Sequence, residues 1–235
     1  MVQKTNYFGI INIDKALEME KTTNLHDTWY FNGFNNRNNV GCVSYLYKKY
    51  DYPKTYKQFY ERYVNDDNTG KLEENGRTED YLVALAESLK EKDNNRFEIW
   101  DYYSYIYKKL IFDTFNGLKK EKEFRDMLTA SGVSNSSPTY EEDIDYGIDI
   151  KVHDNDGNLK CLLQVKPNTF FKGDRNNALR HDRQRAIQKE KIAKETYKVP
   201  VYYVIYEKNT GKWIKNKKGK FCHLLKNLIN ADGTT

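Results

Sequence analysis

Two hydrophobic periods divide this chain. Over the first half, apolar residues recur every three or four positions, the spacing of one helix face. Ile99, Tyr103, Ile106 and Leu110 form such a stripe, widened by Trp100, Tyr107 and Ile111, and predict a helix over 98–115. Tyr81, Leu82, Leu85 and Leu89 predict a helix over 79–90, with Thr78 as its cap. Shorter helices over 43–50 and 54–63 flank Pro53. Gly117 is expected to break the pattern, which restarts over 118–130 through Phe124, Met127 and Leu128. An aromatic stripe of this kind reads as core rather than as a binding surface.

The period then falls to two. Ile144, Tyr146, Ile148, Ile150 and Val152 alternate and predict a strand over 144–152. HDNDGN supplies Asp-Gly turn chemistry, and 159–165 reads as the returning strand of a hairpin. Pro167 ends it, because proline has no N–H for the ladder. A long basic helix over 176–197 and an apolar strand over 199–206 (VPVYYVIY) follow. The expected fold is α+β, a central mixed sheet flanked by helices. It divides into a helical region over 1–115 and an α/β core over 116–235.

The hairpin carries polar residues where burial would favour apolar ones. Asp145 and Asp149 fall on the face opposite the alternating apolar set, four residues apart, too far to share one centre. Gln164 and Lys166 are two apart and share a face. A tight hairpin brings Asp149 beside that pair, and the backbone carbonyl of Val165 lies between them. A carboxylate, an amide oxygen and a carbonyl suit a hard cation such as Mg²⁺. Such a cation polarises a phosphate and lowers the pKa of a bound water, while an ammonium steadies developing negative charge. The bland reading has Asp149 act as a cap or pair with Lys151, and leaves Gln164 and Lys166 facing solvent on an edge strand.

Charge strengthens the first reading. The overall +5 hides an asymmetry: residues 1–171 hold 23 Lys/Arg against 28 Asp/Glu, and residues 172–235 hold 16 against 6. A localised basic region is the footprint of a polyanion. Lys172, Arg175, Arg180, Arg183 and Arg185 follow the hairpin and are read as phosphate contacts, which give affinity and register rather than base reading. Lys212, Lys215, Lys217, Lys218 and Lys220 are read as a solvated turn. Asn36, Arg37 and Asn38, in a polar loop, have the chemistry to read base edges, weighed against a plain solvent loop in an Asn-rich chain.

Other classes are disfavoured. Cys42, Cys161 and Cys222 are far apart and the four histidines are scattered, so neither a disulfide framework nor a zinc site is expected. GKLEENGRT has the wrong spacing for a phosphate loop and an Arg for its Lys, so no nucleotide cofactor is expected. No apolar run suits a membrane helix or a signal peptide, and a cytoplasmic protein is expected.

Gly147-Ile148-Asp149 followed by Gln164-Val165-Lys166 resembles the G-x-D … Q-x-K signature of restriction endonucleases in the PD-(D/E)xK nuclease superfamily. The resemblance covers roughly 118–206 and implies a helix–hairpin–helix–strand core. It implies a type II restriction endonuclease using Mg²⁺, with Mn²⁺ substituting, that cuts double-stranded DNA as a homodimer. Asp149, Gln164 and Val165 would hold the metal and Lys166 would act on the attacking water. The helical first half would supply dimer contacts and base reading. Gln164 stands where the superfamily usually has an acid, and the branch resembled recruits a Glu from the helix before the hairpin. Glu123 is ranked first, then Glu121, with Glu79 on an earlier helix and Asp145 as an outer acid. A structure-selective or repair nuclease of the same superfamily, or a DNA-binding protein with a degenerate site, are the alternatives.

Overall fold

A computed structural model describes residues 8–22, 43–65, 78–171 and 177–229. The chain separates into two compact units, residues 1–119 and 120–235.

The first unit is helical. Helices α1 (Ile13–Thr22), α2 (Val43–Lys49), α3 (Tyr56–Asn65), α4 (Thr78–Lys92) and α5 (Ile99–Tyr107) surround a core rich in tyrosine and phenylalanine. Its rings meet edge to face, as aromatic quadrupoles prefer: Tyr47 on Phe115 at 5.5 Å and Tyr60 on Tyr107 at 5.4 Å. The predicted stripe is buried at Tyr103, Ile106, Tyr107, Leu110 and Ile111, whereas Trp100 stands 37% exposed. After α5 the chain makes one wide π-helical turn over Lys108–Phe112. Lys108 is buried there, and its ammonium donates to Glu20 at 2.9 Å and Asp113 at 3.0 Å. Burial works to raise the Glu20 carboxyl, but Lys109 and Lys108 together hold it at about 2.

Helix α6 (Asp113–Ala130) then runs straight through Gly117, against the expected break. A mid-helix glycine costs about 1 kcal/mol. Burial of Phe115 and partial burial of Leu118 on either side exceed that cost. The last turns of α6 carry Phe124 into a different cluster, with Ile150, Leu163, Val165 and Val204.

The second unit is a six-stranded mixed sheet. A short strand β1 (Asn135–Ser136) precedes helix α7 (Tyr140–Tyr146), and β2 (Ile150–His153) and β3 (Leu159–Pro167) form the hairpin. Helix α8 (Asn177–Tyr197) leads to β4 (Val201–Tyr206), followed by β5 (Trp213–Ile214), β6 (Cys222–His223) and the short helix α9 (Leu225–Ile229). β3 pairs antiparallel with β2 and parallel with β4, so it is central. β5 and β6 both pair with β4. The two faces of β3 alternate: Leu163 and Val165 pack with Phe124, and Leu162 packs with Ala193 of α8 and Val201 of β4.

The predicted strand over 144–152 is half wrong. Its first residues are helix α7, and pairing with β3 begins only at Ile150. The cause is a capping box at Thr139. Its hydroxyl accepts from the Glu142 N–H at 3.2 Å, and Glu142 accepts from the Thr139 N–H at 2.6 Å. Gly147 closes the helix at φ 65°. Local capping therefore overrides a five-residue alternation.

Glu142 does more than cap. It also accepts from Lys151 at 3.0 Å and from the Tyr197 hydroxyl at 2.7 Å, tying α7 to β2 and α8. Burial pushes its carboxyl up, but the Thr139 N–H, Tyr197 and Lys151 outweigh this and lower it. A depressed carboxyl contributes stability that is present above its unfolded pKa and lost as pH falls through the folded one. Thr139→Ala should cost about 1 kcal/mol in urea unfolding. Glu142→Gln should cost more and flatten the acid limb of stability against pH. Equal losses at neutral pH would show that only the cap matters.

Candidate active site

Strand β2 ends one step before it could pair with all of β3. The last ladder pair sets Ile150 against Leu163, and the Asp149 N–H donates to the Leu163 carbonyl at 3.0 Å. Two residues further along β3, the N–H and C=O of Val165 point to the same side, where no strand remains. The side chain of Asp149 fills the gap. Its Oδ2 accepts from the Val165 N–H at 2.5 Å and from the Lys166 ammonium at 3.2 Å. Asp149 is buried, 7% exposed, and both bonds fall on Oδ2 rather than Oδ1.

The bland reading fails on three points. Lys151 is bound to Glu142, not to Asp149. Gln164 is 2% exposed. β3 is a central strand with neighbours on both sides.

Burial alone would lower the pKa of Lys166. Asp149, then Glu121 and Asp143, more than offset this, so the pKa is raised and the ammonium persists at neutral pH. The Gln164 amide nitrogen donates to the Tyr146 carbonyl at 3.5 Å, a long bond. Gly147 is needed for conformation rather than for space. A Cβ there would lie 3.4 Å from Lys189 Cδ and 3.5 Å from Gln164 Nε2, both ordinary contact distances. Its left-handed backbone is what excludes a side chain.

The other expected site residues scatter. On α6, Glu123 lies against Lys120 at 2.5 Å, whereas the charge from this helix that acts on Lys166 is that of Glu121. Asp145 is exposed on α7 rather than on a strand. Glu79 belongs to α4 of the first unit. Arg180, Arg183 and Arg185 lie on α8, and Arg185 is exposed. Lys172, Arg175, Asn36, Arg37 and Asn38 fall outside the described residues. Lys212, Lys215, Lys217, Lys218 and Lys220 are all exposed, in keeping with a solvated turn. Sequence reasoning missed Glu190, buried on α8. Its signal was the i, i+3 spacing to Ala193 on the helix's inner face.

The donor set fits a hard divalent cation. Asp149 offers a carboxylate oxygen, Gln164 an amide oxygen, and Val165 a carbonyl beyond the end of the β2 ladder, all of the oxygen type that such ions take. Among the described residues no group of three or more His, Cys, Asp or Glu forms a conventional metal cluster.

A mixed sheet flanked by helices is consistent with a restriction-endonuclease-like fold. The family model described as MjaI restriction endonuclease matches residues 24–218, and the chain belongs to that family. It is a type II restriction endonuclease, a site-specific deoxyribonuclease. Membership implies DNA as substrate and dependence on a divalent metal. No curated protein and no solved structure matches the chain. No helix among the described residues is long and apolar enough to cross a membrane.

Gly147→Ala should lose about 1–2 kcal/mol from the left-handed backbone, and Gly147→Asn less, because Asn tolerates that region. Both should keep the site's chemistry. Thermal unfolding with a DNA-cleavage assay checks this, and an inactive but fully stable Gly147→Ala would contradict it.

Proposed function

We propose that this endonuclease uses magnesium held by Asp149, Gln164 and the Val165 carbonyl, with Lys166 acting on the attacking water and Glu121 completing the charge of the site. The observation that carries this reading is the convergence of Val165 N–H and Lys166 on one oxygen of Asp149. When bound, magnesium polarises the scissile phosphate and lowers the pKa of a water. Asp149 keeps Oδ2 on the Val165 N–H and Lys166, and its carboxylate would be one of the groups that hold the cation. Lys166, kept protonated by its acidic neighbours, orients the water and offsets the charge that develops on the phosphate. Glu121 supplies the negative charge that a neutral Gln164 lacks, since its charge is the one from α6 that acts on Lys166. Manganese substitutes for magnesium.

The enzyme works as a homodimer in the cytoplasm, one subunit per strand of a two-fold site. Residues 1–115 serve dimerisation and recognition, with Asn36, Arg37 and Asn38 near base edges, and residues 116–235 form the catalytic core. Lys172, Arg175, Arg180, Arg183 and Arg185 hold DNA phosphates.

On a long DNA of known sequence, wild type should give discrete bands with Mg²⁺ and none with EDTA. Lys166→Ala should lower the rate by about 10²–10³-fold or more, and Asp149→Ala should abolish cleavage, with DNA binding in Ca²⁺ retained. Glu121→Gln should lose about 10-fold or more while Glu123→Gln stays near wild type. The reverse order for the two glutamates would return the role to Glu123.

Phosphate anchoring has its own readout. Each lost phosphate contact makes the slope of log binding constant against log salt shallower by about 0.9. Arg180→Ala and Arg183→Ala should each do this and weaken specific and non-specific duplexes alike, while Lys217→Ala should not. Unchanged slopes for both arginine variants would place α8 away from DNA.

A further inference from the structure

A second lysine lies against the candidate site, and it comes from helix α8. Lys189 is partly buried, whereas Arg185, Lys191 and Lys194 of the same helix are exposed. Lys191 and Lys194 pair along the helix with Glu195 and Glu190. Lys189 instead packs on the motif glycine. A Cβ built on Gly147 would stand 3.4 Å from Lys189 Cδ, 3.5 Å from Gln164 Nε2 and 3.7 Å from Gln164 Oε1. The stem of Lys189 and the amide of Gln164 therefore share the bare Cα of residue 147.

The direction of that side chain follows from the crossover. Helix α8 joins the parallel strands β3 and β4, so it runs back against their direction. Ala193 sits in one cluster with Ile148 and Leu162. One turn nearer the N-terminus of α8 is Lys189, beside Gly147 and Gln164. Side chains on a helix lean toward its N-terminus. Lys189 thus extends along β3 from the level of Gln164 toward Lys166, which shares a strand face with Gln164. Its methylenes stay packed on the glycine while the ammonium reaches beyond them. One further turn along the same row of α8 is the exposed Arg185. Lys189 therefore links the Asp149–Lys166 pair to the cations that lead away from it along α8.

The chemistry has room for a second cation. Lys166 shares its charge with Asp149, onto which it donates at 3.2 Å. Attack on a phosphodiester adds negative charge to a group that is already anionic. A lysine ammonium is a compact point charge and binds phosphate as one. We propose that Lys189 is a further catalytic residue, which touches the phosphate being cut and stabilises the charge that develops on it. This rests on the reading of Asp149, Gln164 and Lys166 as the active site. Two plainer roles compete with it. The stem could serve only to cover Gly147, or the ammonium could serve only to close the C-terminus of α7. Both are roles in stability, and neither makes the rate of cutting depend on charge at 189 in a protein that stays folded.

The test uses full-length protein and two variants. Lys189→Met keeps the length and packing of the stem, and Lys189→Arg keeps the charge. Three quantities are measured: the single-turnover rate of cleavage of a long DNA in Mg²⁺, duplex binding in Ca²⁺, and the thermal midpoint. Lys189→Met should cut about 10²-fold more slowly, the usual cost of losing one group that stabilises developing charge. Its DNA affinity should fall far less, and it should melt as wild type does. Lys189→Arg should recover most of the rate. A wild-type rate in Lys189→Met would overturn the proposal. So would a loss that Lys189→Arg shares in full, or one that merely follows a lowered thermal midpoint. Failure of the underlying reading looks different, because Asp149→Ala would then cut as wild type does. An inactive Asp149→Ala beside a fully active Lys189→Met would strike Lys189 alone.

Discussion

The site depends on one main-chain hydrogen bond satisfied by a side chain. A central strand must pair both of its edges, and β3 extends past the start of β2. The Val165 N–H would be an orphan there, and Asp149 supplies the missing acceptor. That one bond fixes the carboxylate, and Lys166 bonds to the same oxygen at an edge where β2 has not begun. The candidate site is thus the place where the β2–β3 ladder runs out.

What ends β2 is the helix before it. Thr139 and Glu142 start α7, Gly147 stops it in a left-handed turn, and Ile148 drops into the core beside Leu162. Asp149 is therefore the first residue to reach β3, bonding to it once through its own N–H and once through its side chain. The motif glycine acts through backbone conformation, and the motif aspartate through position.

Electrostatics bind the layers around this point. Lys166, partly buried, keeps its proton because three acids, Asp149, Glu121 and Asp143, outweigh desolvation. The crossover helix α8 packs Ala193 against Leu162 and Val201, and its sequence continues the basic region that follows the hairpin. The charge divides differently from the two units: residues 1–171 are net negative and residues 172–235 strongly positive.

The sequence by itself determined the periods, and so the helical first half and the helix–hairpin–helix–strand order of the second. It also determined the trio Asp149, Gln164 and Lys166, because polar residues in strands otherwise built for burial are a local and visible anomaly. It misled where local signals competed. Alternation at Ile144 and Tyr146 lost to a capping box, and the break expected at Gly117 lost to packing of Phe115 and Leu118. Only the tertiary structure decided which acid acts on Lys166, since Glu121 and Glu123 differ by two residues on one helix and by their neighbours in space. Only the register between β3 and β4 set Tyr203 beside Gln164. Periodicity reports which face a residue occupies, but not which residue from a distant element stands opposite it.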